Sequence, residues 1–241
     1  MKCVIFQPSY IPWRGFFDQV ALADIFVFFD DVQYDKHGWR NRNRIKTHQG
    51  PVWLTIPVSS KGAVSQHILI NQVEINNKQP WNSKHLRTLQ QAYSKAPYFD
   101  RYADLLEDFY NDPPQMLADF NIELSIALAH ELGIRDTRFI RSSELRVDGQ
   151  KTDRLIAILE KLGADHYISG PSARDYIEPE KFANSGIQLT YMHYNYPEYP
   201  QLYPPYDPQL SILDLLFMTG PEAMSYIQPE PEKIKTKWQT D

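Results

Sequence analysis

The sequence predicts an α/β fold built on a mainly parallel sheet, and three observations lead there. "CVIFQP" (3–8) and "DIFVFFDDVQY" (24–34) are apolar nearly throughout rather than alternating, as strands covered on both faces tend to be. Helical patterns alternate with such runs along the chain. The first stretch, Met1 to Asp31, reads strand, loop, helix, strand, which is a βαβ unit.

Taken in order, strand 3–8 is stopped by Pro8, and "FFDQVALA" (16–23) is a short helix before the second strand. "GPVWLTIPV" (50–58) and "HILINQVEI" (67–75) read as two further strands joined by "SSKGAVSQ". Helical patterns follow at 80–96, 98–111 and 114–132, the last closed by Gly133, and make a mainly helical insertion over about 80–132. "TRFIRSSEL" reads as a strand, "KTDRLIAILEKLG" as a helix closed by Gly163, and "DHYISG" and "GIQLTYMHY" as strands. "LSILDLLFMTG" (210–220) is a last helix, before a polar C-terminus. All 241 residues are expected to form one α/β domain.

Composition narrows the function classes. Hydrophobic residues at 42% and charged residues at 23% are ordinary for a globular protein, and 18 prolines against 10 glycines indicate rigid loops. The net charge of -5 argues against nucleic acid as the general partner. Cys3 is the sole cysteine, so an internal disulfide and a thiolate metal cluster are excluded. No apolar window approaches membrane-spanning length, and the expected location is the cytoplasm. Nothing in the sequence sets an oligomeric state.

Against that acidic background "WRNRNRIK" (39–46) stands out. In an extended strand Arg40, Arg42, Arg44 and Lys46 share one face, and Trp39, Asn41, Asn43 and Ile45 the other. Adjacent cations repel unless an anion meets them. Arginine grips phosphate bidentately, asparagine both donates and accepts, and tryptophan stacks on a base or sugar ring. The kit suits a nucleotide diphosphate or a nucleotide sugar; the plainer reading is a solvated stripe.

Two loops add to it. "QPSYIPWRGFF" follows the first strand, where Rossmann-like sheets bind ligands, and offers Gln7, Tyr10, Trp13 and Gly15. Gly15 would admit a ligand or a backbone, or else mark a braced turn. "YISGPSARDYI" brings Ser169, Gly170, Ser172 and Arg174 together, either as a phosphate cradle or as an ordinary turn into a helix. Asp30 and Asp31, at a strand end, could hold a ribose, a magnesium ion or a substrate amine. His37 and His48 flank the basic stretch as acid/base candidates, and no histidine pair has zinc spacing.

"FQPSYIPWRGFFDQVALAD", "FFDDVQYDKHGWRNRNRIK", "WLTIPV", "YISGPSARDYI" and "LSILDLLFMTG" together resemble the WbqC-like family of bacterial proteins over nearly the whole chain. That resemblance implies a role in O-antigen or other surface-polysaccharide biosynthesis, on a sugar or sugar nucleotide. The first strand, loop and second strand also resemble pantothenate synthetase and its nucleotidyltransferase relatives, which implies a HUP-like variant of the Rossmann-like fold. In place of that enzyme's two signature histidines stand Trp13 and Phe16 around Gly15. The arginines of 39–46 would then have to stabilise the charge of any adenylyl transfer.

The expectation is therefore a transferase or ATP-dependent amide-forming ligase. ATP or a nucleotide sugar would lie with its phosphates on Arg40, Arg42, Arg44 and Arg174, with magnesium as a possible companion. Asp30, Asp31 or His37 would orient an amine for acyl or aminoacyl transfer. The alternatives are a non-catalytic nucleotide-sugar binding module and an RNA-binding protein.

Overall fold

The computed structural model describes residues 1–36, 38–59 and 68–228, and the backbone of 238–239. Five parallel strands form the sheet in the order β5 (Arg138–Arg141), β2 (Ile25–Phe28), β1 (Lys2–Phe6), β6 (His166–Ser169), β7 (Gln188–Met192). β8 (Trp238–Gln239) pairs antiparallel with β7 at one edge. The fold is Rossmann-like α/β. β1 is interior, with β2 in register beside it, Cys3 opposite Ile25 and Phe6 opposite Phe28.

The apolar runs are continuous because each strand serves two cores. Val4, Phe26, Phe28 and Ile168 face one, packed with Phe16, Phe17 and Val20 of α1 (Arg14–Leu22). Cys3, Ile5, Ile25 and Val27 face the other. There they meet Leu155, Ile158 and Leu159 of α6 (Lys151–Leu162) and Phe182 of α7 (Pro179–Ser185). From β1 the chain runs outward to β2 and β5, then crosses back through α6 to β6 on the other flank of β1. The strand order reverses between β1 and β6, which opens a crevice at their carboxyl ends.

Between β2 and β5 lie a hairpin, β3 (Arg42–Thr47) with β4 (Gly50–Thr55), and α2 (Trp81–Tyr93), α3 (Phe99–Asn111) and α4 (Leu117–Glu131). The three helices fall where periodicity places them. α8 (Ile212–Thr219) packs on them, with Tyr98 N donating to Phe217 O at 3.0 Å. Gly133 and Gly163 end α4 and α6 with φ of 82° and 67°.

Several boundaries differ from expectation for local reasons. Residues 68–75 are not a strand: a 3-10 turn spans Ile70–Gln72, and the contacts are single bridges such as Gln33 with Leu69 and Val58 with Ile75. Ile70, Val73 and Ile75 are all buried, so the apolar positions reach the core without a strand partner. The expected connection "SSKGAVSQ" lies almost entirely outside the described residues. β4 stops at Thr55, two residues before Pro57, which has no amide for a ladder. β2 stops at Phe28, and β5 gives way to the short α5 (Ser142–Leu145), because Asp30 N donates to Ser142 Oγ and the Asp30 carboxylate accepts from Ser143 N at that corner.

His85 of α2 is buried, bonded to the hydroxyl of Tyr10 at 2.8 Å, and desolvation lowers its pKa from 6.5 to about 4. In the unfolded chain this imidazole takes a proton near pH 6.5; in the native chain it stays neutral until about 4. Below 6.5 the unfolded state thus binds more protons, and the stabilisation present above that pH drains away as pH falls toward 4. Urea titrations should show stability falling by up to about 1.4 kcal/mol per pH unit across that window, with a flatter profile in His85→Gln.

Candidate functional site

The carboxyl ends of β1, β2 and β6 open into a cavity of about 840 Å³. Phe6 and Gln7 of the β1 edge, Tyr167 and Ser169 of β6, and Phe29 and Asp31 after β2 form its base. One wall is the turn into α6, with Gly149, Gln150, Lys151 and Arg154. The facing wall is the loop after β6, with Gly170, Ser172 and Tyr176, and Arg40 reaches in from the segment before the hairpin.

The turn into α6 is tight. Arg146, Gly149 and Lys151 have φ of 51°, 122° and 49°, and a Cβ on Gly149 would sit 3.2 Å from Arg154 Cα. Only glycine lets the backbone fold so closely over the first turn of the helix. Gln150 caps α6 without a side-chain hydrogen bond, so the helix presents its positive end and amides to the cavity uncapped. Small hydroxyl residues, Ser169 and Ser172, lie opposite.

Charge in the cavity runs against the chain as a whole. Three cations, Arg40, Lys151 and Arg154, face one carboxylate, Asp31, in a protein of net charge -5. Arg154 Nη2 holds Asp31 Oδ2 at 2.5 Å, and Ser142 Oγ donates to Asp31 Oδ1 at 2.5 Å, so both carboxylate oxygens are engaged. Arg40 Nη1 donates to the carbonyls of Gln7 at 3.0 Å and Pro8 at 3.4 Å, and its Nε is buried without an acceptor. Desolvation lowers its pKa to about 10, with Asp35 and Tyr34 opposing. A half-buried guanidinium with carbonyls but, among the described residues, no carboxylate within hydrogen-bonding reach attracts an anion.

The other residues singled out in the sequence are dispersed. Strand geometry starts at Arg42, so Trp39–Asn41 do not extend the alternation. Asn41 and Asn43 point inward: Asn41 Nδ2 donates to Ile56 O at 2.9 Å, and Asn43 Nδ2 to Tyr10 O and Ile11 O at 3.1 and 2.8 Å. Arg42 and Arg44 do not join Arg40 in the cavity; their guanidinium carbons lie 4.8 and 6.0 Å from the centre of the Trp53 ring. Arg44 also donates to Gln209 O at 3.0 Å and faces Asp207 at 3.5 Å. Lys46 is buried, its ammonium on Gln201 Oε1 at 2.7 Å and on Pro205 O.

Tyr10 is buried away from the cavity, bonded to His85 and Tyr110. Arg174 lies over the Tyr191 ring at 4.5 Å rather than in the cavity. His48 is exposed near Tyr203, and His37 lies outside the described residues. The close approach expected at Gly15 is made by Trp13 itself: a Cβ there would fall 2.4 Å from the indole. Trp13 and Trp39 line a second, smaller pocket rather than the cavity.

The model of the WbqC-like protein family matches residues 7–226, from the Gln7 rim of the cavity to the turn after α8. The chain belongs to the WbqC-like family. An uncharacterized protein of Mycobacterium tuberculosis is 41% identical over 229 residues, 94% of this chain and 97% of that relative. No solved structure matches the chain.

Within this WbqC-like chain, Lys151 and Arg154 are the site residues that sequence reading passes over. The sequence carries only Gly149-Gln150-Lys151-Thr152 at a helix start, and since a phosphate loop has its glycine directly before the lysine, Gln150 breaks that motif. Asp30, by contrast, is fully buried behind the cavity. It accepts from Arg141 Nε at 2.8 Å and from Ser143 N and Oγ at 3.0 and 2.9 Å, while Asp30 N donates to Ser142 Oγ at 3.1 Å. Its carboxylate ties the end of β2 to the corner after β5. Removing it leaves Arg141 to Asp119 alone and takes the acceptor from Ser143 N and Oγ, so Asp30→Ala should lower the unfolding free energy by about 1–3 kcal/mol, read from urea midpoints.

Proposed function

We propose that this chain binds the phosphates of a nucleotide or nucleotide sugar in the cavity between β1, β6 and α6. The carrying observation is the cationic lining of Arg40, Lys151 and Arg154 in a chain that is acidic overall. An uncapped helix start and the hydroxyls of Ser169 and Ser172 support the same assignment. Of the arginines read from the sequence, Arg40 is kept as a phosphate ligand, and Lys151 takes the part given to Arg42, Arg44 and Arg174. Tyr176, 60% exposed at the rim, offers a ring face to a base or sugar.

In this reading the protein serves bacterial surface-polysaccharide synthesis. It transfers an acyl or aminoacyl group to the amine of a sugar, with Asp31 placing the amine. If ATP activates the acid, pyrophosphate leaves as the acyl adenylate forms, and the sugar amine then displaces AMP to give the amide. A non-catalytic module that holds a nucleotide sugar for a partner enzyme is the second reading. It is favoured by Asp31, whose two oxygens are already engaged by Arg154 and Ser142.

Calorimetric titration with ADP and UDP tests the binding step. Binding should be seen, and Lys151→Met, at an exposed position, should weaken it about ten- to a hundredfold, the worth of a charge-assisted hydrogen bond of roughly 1.5–3 kcal/mol. Unchanged affinity in the variant, or no binding by the parent, removes the assignment. Release of pyrophosphate and AMP with an amino acid and a nucleotide-linked amino sugar selects the enzyme, and binding without turnover across a donor panel selects the module.

A further inference from the structure

Beside the cavity lies a second pocket of about 340 Å³ of opposite character. Phe6, Pro12, Trp13, Phe16 and Trp39 supply most of its surface, and the two spaces share Phe6 and Arg40 as a common wall. Its aromatic walls are braced from behind. Trp13 packs edge-on to Tyr194 at 4.8 Å, made possible by the missing side chain at Gly15, and Phe16 packs on Phe6 at 5.4 Å. Trp39, 44% exposed, rests on Trp53 at 5.2 Å at the mouth.

The polar groups on this wall are mostly committed. The Asn43 amide nitrogen is bonded to two backbone carbonyls, its oxygen accepts from Arg44 N at 2.8 Å, and Ser9 Oγ donates to Gln7 O at 3.3 Å. Gln209 Oε1, at the exposed mouth, accepts from Arg44 Nη2 at 3.1 Å, and within the pocket what is left is one cation, Arg40, set in an apolar surround. We propose that this pocket binds a small apolar carboxylic acid, its ring or chain against Trp13, Phe16 and Trp39 and its carboxylate on Arg40. Arg40 is shared with the cavity, where Lys151 and Arg154 also meet the phosphates, and a monoanion in this pocket leaves less uncompensated charge than a phosphate dianion would. The size and the mix of apolar walls with one convergent polar group are those of a small-molecule site, for which roughly 300–1,000 Å³ is usual.

The inference extends the function proposed above, since an acid held here stands across Arg40 from the phosphates and would be the acyl donor of that transfer. It can nonetheless be tested separately. The probe is 3-phenylpropionate, with 3-phenylpropanamide as the isosteric neutral control, followed by tryptophan fluorescence and by heteronuclear NMR on the full chain. The acid should bind at least tenfold more tightly than the amide. Gln209→Trp, an exposed substitution at the pocket mouth, should abolish that binding while leaving ADP affinity unchanged. Trp39→Ala should weaken the acid about tenfold.

Equal affinity for acid and amide, no binding of either, or acid binding that survives both substitutions overturns the inference. If that happens while ADP still binds, the phosphate site stands without a carboxylate neighbour. If ADP fails and the acid binds as described, the pocket stands and the nucleotide reading falls.

Discussion

The buried amide of Asn43 holds the site in place. Its nitrogen donates to the carbonyls of Tyr10 and Ile11, in the loop that leaves β1. Ile11 has a φ of 36°, a left-handed conformation that a β-branched residue adopts only when its surroundings impose it. The hairpin therefore clamps that loop, and Tyr10 N donates back to Trp39 O at 3.1 Å. Each such bond contributes about 1 kcal/mol, but among the described residues these two carbonyls have no other partner, which makes the amide hard to replace. Arg40, common to both pockets, and Trp39 and Trp13, walls of the smaller one, all hang from this junction.

The junction explains the alternation of asparagine and arginine. Asparagines at 41 and 43 face inward and satisfy backbone groups, while Arg42 and Arg44 face outward over Trp53. Carboxylates elsewhere do similar anchoring: Asp30 and Asp119 fix Arg141, and Asp31 fixes Arg154. The cations that remain without a carboxylate in hydrogen-bonding contact, Arg40 among them, gain most from a ligand anion.

The sheet was legible because strands buried on both faces must be apolar at every position, and "VIF" and "IFVF" have no other use. The helices were legible from their period and their glycine stops. The stretch at 68–75 misled because alternation records burial every second residue and says nothing about whether a partner strand exists. Arg42 and Arg44 carry the right period for one face, yet which anion or ring meets that face depends on Trp53 across the hairpin. Lys151 and Arg154 escaped because charged residues at a helix start look the same on a solvated face and in a cavity. Gly15 was legible as a place of close approach, but the approaching group is a neighbour two residues away.

The insertion also bears on how the chain reaches this structure. Phe28 pairs with Arg141, and the hairpin and three helices lie between them in sequence. The hairpin and the α2–α3 pair are built from near neighbours and can form within microseconds. The β2–β5 ladder must await their compaction, because closing so long a loop gains nothing until its contents have ordered. During synthesis β2 emerges early and keeps one bare edge until β5 arrives. An all-apolar strand with unpaired amides is the segment most exposed to capture by another nascent chain; α1 can cover one apolar face of it, but the edge itself is guarded only once β5 pairs there.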